Sequence, residues 1–149
     1  MSKIKLDLNS EQNILNMLME SSSISEDQMS KINANSKEIG KTKLETAIEL
    51  NYTDETKIQK TLSTNYSLEL ISLEKKVIDP KIKKIIDLRY IQDNLLVPFE
   101  MGEGVLKIAI ADASKLGLMK NLKTMTKMEP ELYAATISDI NDFIERMSR

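Results

Sequence analysis

Two kinds of apolar spacing divide this chain. From about residue 10 to residue 66 the apolar side chains recur at helical intervals. Ile14, Leu15, Leu18 and Met19 share one face of a helix that Ser10 is placed to cap and that Ser21-Ser22-Ser23 ends. Ser25-Glu26-Asp27-Gln28 has the form of a capping box, and Met29 and Ile32 supply the inward face behind it. Gly40 marks a break. A third helix carries Leu44, Ala47, Ile48 and Leu50. Thr53 is placed to cap a fourth, with Asp54 and Glu55 complementing the positive end of its dipole and Ile58, Thr61 and Leu62 facing inward.

These pieces repeat. Ser21 to Asp27 and Leu50 to Glu55 occupy corresponding places, with Glu26 and Glu55 in register 29 residues apart. Each copy is a helix, a short turn and a capped second helix. Two such hairpins can bury a shared core where one could not.

Past residue 66 the pattern changes. Leu68 to Leu73 alternates as a short strand does. Asp79-Pro80 opens a helix with proline at its first position, Ile82, Ile85, Ile86 and Leu88 inward and Lys81, Lys83, Lys84 and Arg89 largely opposite. That basic face is either solvated or a dock for an acidic partner. Leu95 to Phe99 is an apolar run; Met101-Gly102-Glu103-Gly104 follows as a hairpin turn whose two glycines can take positive φ. Val105 to Ala111 is a second strand, and Asp112-Ala113-Ser114 opens a helix. The last helix begins near Thr136 and carries the stripe Ile137, Ile140, Phe143, Ile144 and Met147. The predicted class is α+β. A helical N-terminal half (1–66), a tandem helical-hairpin repeat, precedes a small ββαβα module (67–149).

Composition narrows the function. The 149 residues suit one domain or two small ones, and a hydrophobic fraction of 41% without Trp makes Ile, Leu and Met the core. A net charge of -2 gives no polyanion footprint, so nucleic acid is not an expected partner. The absence of Cys and His excludes thiolate and imidazole zinc sites and Ser-His or Cys-His nucleophile pairs. Without Cys there is no disulfide framework, and no apolar run approaches the ~18 residues of a membrane span. Residues 1–7 lack the apolar stretch of a secretory leader, and the missing disulfide framework makes a cytosolic setting the simplest reading. The glycines, at 40, 102, 104 and 117, are too scattered to build a phosphate-cradling loop. The carboxylate pairs Glu26-Asp27 and Asp54-Glu55 sit where first helical turns want them, so the chain itself is not expected to be an enzyme.

Several segments resemble the N-terminal domain of type II secretion and type IV pilus assembly ATPases. Ile108-Ala109-Ile110-Ala111-Asp112 resembles that family's Val-Ala-Met-Ala-Asp strand end, Asn94 to Phe99 its Val-Ile-Pro-Leu strand, and Ile78-Asp79-Pro80 its Asp-Pro helix start. Leu122-Lys123-Thr124-Met125-Thr126 resembles Leu-Arg-Phe-Leu-Thr, with Glu129-Pro130-Glu131-Leu132 and Ser138-Asp139-Ile140 closing the pattern. The helical half resembles the tandem MshEN repeat, with copies at Asn13 to Ser36 and Thr42 to Asn65 and a spacer from Lys37 to Lys41.

The resemblance implies a regulatory and docking domain. It would couple a downstream hexameric ATPase domain to the cytoplasmic part of a platform protein, peripheral to the inner membrane through partners and without insertion. ATP and magnesium would belong to that downstream domain. The alternative is a module that senses cyclic di-GMP. In the family, Arg and Gln of the repeat recognise the dinucleotide and Gly lets the backbone approach it. Here the corresponding positions are Asn13, Ile14, Leu15, Ser22 and Ser36 in the first copy and Thr42, Lys43, Leu44, Asn51 and Asn65 in the second. Neither Asn nor Thr can replace a bidentate Arg contact. The repeat is then either a degenerate scaffold or a nucleotide site that uses another set, such as Lys41, Lys43 and Tyr52. The C-terminal module keeps the family pattern, which makes Lys107, Lys120, Lys123 and Glu131 the candidate partner contacts. No cofactor is expected in this chain.

Overall fold

A computed structural model describes residues 6–39 and 42–149, the side chains of 38 and 39 excepted. Gly40, Lys41 and the first five residues, read above for a break, a ligand cation and a leader, lie outside the described residues. The helical half comprises α1 (Leu8–Glu20), α2 (Glu26–Ile39), α3 (Lys43–Glu49) and α4 (Glu55–Tyr66). There follow β1 (Glu69–Leu70), α5 (Pro80–Ile85), α6 (Leu88–Asn94), β2 (Val97–Gly102) and β3 (Val105–Ile110). A 3-10 turn (Ala113–Leu118), α7 (Met119–Thr126), β4 (Glu129–Ala134) and α8 (Ile137–Met147) complete the chain. The α+β class and the ββαβα order are those the apolar pattern predicts.

The repeat is carried by backbone geometry. Ser22 and Asn51 both take a left-handed conformation, with φ of 60° and 61°. Beside them, Ser23 N donates to Leu18 O at 2.8 Å as Tyr52 N does to Ala47 O at 3.0 Å. Ser21 N reaches Met17 O at 3.0 Å as Leu50 N reaches Thr46 O at 2.9 Å. The second helix of each hairpin is capped in the same register, by Ser25 Oγ accepting from Gln28 N (3.1 Å) and Asp54 Oδ1 accepting from Lys57 N (2.8 Å). Ser25 N also donates to Gln28 Oε1 at 3.0 Å, which completes the capping box.

Several elements differ from the sequence expectation. The cap of α1 is Asp7, whose carboxylate accepts from Ser10 N at 2.7 Å, while Ser10 is fully buried inside the first turn. The cap of α4 is Asp54 rather than Thr53. Thr53 is buried, as is Ile24 at the corresponding place of the first copy. A carboxylate opposes the helix dipole with full charge, so both helices begin at the aspartate. The helix foreseen from Asp79 to Arg89 is two. Ile86 turns extended (φ −132°), and Asp87 caps α6 by accepting from Arg89 N at 3.3 Å. The strand foreseen over 68–73 shortens to Glu69–Leu70, because the Asp139 side chain takes Leu73 N at 2.9 Å and draws the chain away from the sheet. In the hairpin, the positive φ values fall on Glu103 (53°) and Gly104 (79°), and Gly102 ends its strand opposite Val105. Positive φ at both central residues is what a type I′ turn requires. The segment opened by Asp112 starts as a 3-10 turn before α7, with Asp112 accepting from Ser114 N at 2.9 Å.

The sheet order is β1-β4-β3-β2, parallel except between β2 and β3, with a bulge between Pro98 and Glu100. Leu106, Ile108 and Ile110 point to one side of β3 and are buried with the whole α8 stripe, Ile137, Ile140, Phe143, Ile144 and Met147. One hydrophobic cluster runs from these residues to Ile14, Leu18, Leu44, Ala47 and Leu62 of the repeat.

Candidate functional site

The positions that the repeat resemblance assigns to a ligand have structural occupations here. Ile14, Leu15 and Leu44 are closed into the core, at 0%, 1% and 0% exposure. Asn13 Oδ1 accepts from Ala113 N at 3.2 Å and so joins α1 to the 3-10 turn of the second half. Thr42 caps α3: its Oγ1 accepts from Glu45 N at 3.2 Å and its N donates to Glu45 Oε1 at 3.3 Å. Ser36 is buried and donates to Asn33 O at 3.2 Å. Asn65 Nδ2 donates to Ser21 Oγ at 3.1 Å, and Ser22 and Asn51 are exposed turn residues. Ser36, Thr42 and half-buried Lys43 come together in a groove of about 650 Å³, with Leu8, Asn9, Glu11, Gln12 and Lys37. Asn13, Ser22, Asn51 and Asn65 do not line it. Tyr52 packs against the hydrophobic core.

A polar seam that sequence reasoning missed joins the halves. Lys115 is buried with its Nζ 3.4 Å from Asp7 Oδ2, and Ser10 Oγ lies 3.4 Å from Ser114 Oγ. Burial pushes the Asp7 carboxyl up. The Ser10 hydrogen bond and the Lys115 charge outweigh that, and Asp7 sits below the usual carboxylate range. On the other side of the repeat, Glu55 accepts from Ser138 N at 2.6 Å and from Ser138 Oγ at 2.7 Å, so it serves the first turn of α8 as well as its own helix. Gln59 Nε2 donates to Ala134 O at 2.9 Å and to Ile71 O at 3.2 Å. No short-range pattern encodes these contacts, since each pairs residues at least a dozen positions apart.

Of the candidate partner residues, Lys107 and Glu131 lie on the sheet and Lys120 and Lys123 on α7. Lys107 and Glu131 are cross-strand neighbours of β3 and β4. Lys107 Nζ lies 3.0 Å from Glu100 Oε2 and 5.9 Å from the Tyr133 ring centre. Their hydrogen bond holds Glu100 below and Lys107 above their ordinary ranges. Glu131 accepts from the Tyr133 hydroxyl and thereby raises the phenol's pKa. Lys123 pairs with Glu129 at 2.8 Å, and Lys120 is exposed one turn earlier on α7.

A family model, the MshEN domain, matches residues 66–149. This chain belongs to the MshEN domain family. Among solved structures it is similar to that of MshE with cdg, at 21% identity and a TM-score of 0.64, covering 89% of this chain and 96% of that one. The N-terminal domain of XpsE is similar at 21% identity and a TM-score of 0.64, covering 95% and 98% of the two chains. A second crystal form of that domain gives 20% identity and a TM-score of 0.56, covering 95% and 99%. No curated protein matches. The resemblance read from the sequence, to the N-terminal domain of secretion and pilus assembly ATPases, is borne out. The family match falls on the C-terminal part of this MshEN domain, where the motif segments are kept, while the structural likeness extends over the helical half as well.

Proposed function

We propose that this MshEN domain is the regulatory and docking domain of a type IV pilus assembly or type II secretion ATPase, coupling a downstream hexameric motor to the inner-membrane platform. The observation that carries this reading is the occupation of the two family Arg positions. Asn13 bonds the second half of the domain and Thr42 caps α3, so both side chains serve the fold. A rigid frame whose ligand positions serve its own packing is suited to holding partners. We assign the sheet residues Lys107 and Glu131, together with Lys120 and Lys123 of α7, to contact with the cytoplasmic domain of a platform protein. Their charges would act chiefly on association rate and specificity.

The test is a pull-down of that platform domain with Lys120→Glu/Lys123→Glu. Binding should weaken while the melting temperature stays near the parent's, because exposed substitutions usually change stability by less than ~0.5 kcal/mol. Undiminished binding would remove these residues from consideration.

The second reading, a cyclic di-GMP sensor, draws on the similarity to MshE with cdg and on the groove where Lys37 and Lys43 flank Ser36 and Thr42. On that reading the dinucleotide would be held without the family's Arg pair. It is the weaker reading, because lysines supply point charge and no bidentate fork.

A further inference from the structure

Residues 74–89 concentrate positive charge. They carry six Lys and Arg against three Asp and Glu, a net of +3 in a chain whose net charge is -2. Two of those carboxylates are occupied: Asp79 caps α5 through Lys81 N at 2.9 Å and Asp87 caps α6. Lys76 and Arg89 have long pairings, 3.9 Å to Glu100 and 4.0 Å to Asp93. Lys75, Lys81, Lys83 and Lys84 are exposed and form no ion pair among the described residues. On α5, Ile82 is the buried residue; the helical period therefore turns Lys84 to the opposite side, with Lys81 and Lys83 to either side.

An apolar side chain stands beside these charges. Val77 is 83% exposed, the most exposed large apolar residue described. Its position is fixed by the loop's anchors. Arg146 of α8 donates to Lys76 O at 3.0 Å and to Leu73 O at 2.8 Å, while Asp139 accepts from Leu73 N. The segment that carries Val77 is thus tied down on its inner side and presents the valine outward.

We propose that the 75–84 segment docks this domain directly on an anionic lipid surface, with Lys75, Lys81, Lys83 and Lys84 against the headgroups and Val77 at the interface. Three features favour a bilayer over an acidic protein. Five of the six basic residues are Lys, whose point charge suits a diffuse field, whereas carboxylate recognition favours the Arg fork. The lysines splay around a short helix, which matches a broad surface better than a groove. A basic cluster with an adjacent apolar residue supplies the two weak signals that peripheral membrane contact combines. The contact is superficial, since among the described residues no helix is long and apolar enough to cross a membrane. It uses a segment distinct from the partner residues Lys107, Lys120, Lys123 and Glu131, and stands whether or not those bind a platform protein.

Co-sedimentation of the chain with vesicles tests it, one set of phosphatidylcholine alone and one of equal parts phosphatidylcholine and phosphatidylglycerol. The chain should partition onto the anionic set only and be released as ionic strength rises. Lys81→Gln/Lys83→Gln/Lys84→Gln should lower partitioning on the order of a hundredfold, about fivefold per lysine. Val77→Asp should lower it severalfold more. Lys31→Gln/Lys57→Gln/Lys60→Gln, an equal change of net charge on the repeat half, should leave it near the parent value. Equal binding to both sets, no binding to the anionic set, or equal loss in the two triple variants would overturn the proposal. So would binding to polyglutamate with the same lysine dependence and none to the anionic vesicles, which would make the surface a protein dock.

Discussion

Asp7 shows how one side chain can decide where an element begins and what it holds. Its carboxylate caps α1 and faces the buried Lys115 ammonium, so the start of the repeat and the second half share one charge. The folded pKa lies below the unfolded one. The contribution to stability is therefore present above the unfolded value and disappears as pH falls through the folded value. Asp7→Asn keeps a capping oxygen and removes the charge. The variant should melt below the parent at neutral pH, and the gap should close as the solution is acidified through the carboxylate range. Thermal melts across pH measure this; a gap that does not narrow in acid would show that the Asp7 charge contributes nothing. Sequence reading missed this residue because Leu8, next to it, is 82% exposed, so the apolar stripe that locates the helix starts only at Ile14.

At the scale of elements, the left-handed turns bear on the two places where the repeat resemblance expects glycine. Ser22 and Asn51 reach φ near 60° without glycine, so the frame does not need glycine to form. It does bear a cost, because left-handed geometry is unfavourable by roughly 1–2 kcal/mol for an L-residue, with Asn among those that tolerate it best. Ser22→Gly should raise stability by up to about 1 kcal/mol, offset in part by the freedom glycine gains in the unfolded chain. Asn51→Gly should gain less. Urea titrations decide between these values, and a destabilised Ser22→Gly would show that the serine side chain supports the turn. The α8 stripe, the capping box at Ser25 and the 29-residue repeat were legible because each is set by neighbours within a few positions. The break at Ile86 and the shortened β1 were not. The shortened β1 follows from a contact with a distant part of the chain, Asp139 on Leu73 N; the break at Ile86 is marked by the local Asp87 cap, which the continuous apolar spacing of Ile82, Ile85 and Ile86 masked. The candidate site was legible only as a set of positions. That Asn13 would meet Ala113, 100 residues away, has no local signal.

The whole molecule is a repeat of helical hairpins fastened to a four-stranded mixed sheet through a shared hydrophobic cluster and two polar seams, Asp7–Lys115 and Glu55–Ser138. That construction keeps the MshEN frame while the side chains at the ligand positions work inside it. On the reading proposed above, this frame has exchanged dinucleotide chemistry for structural duty. Losing two charged bidentate contacts removes interactions worth roughly 1.5–3 kcal/mol each, which is about tenfold or more in affinity for each one. The most direct test is isothermal titration of cyclic di-GMP into the chain at micromolar concentration. No saturable heat is expected. A sub-micromolar Kd, weakened by Thr42→Ala or Lys43→Ala, would contradict it and establish the groove beside Ser36 as a working dinucleotide site.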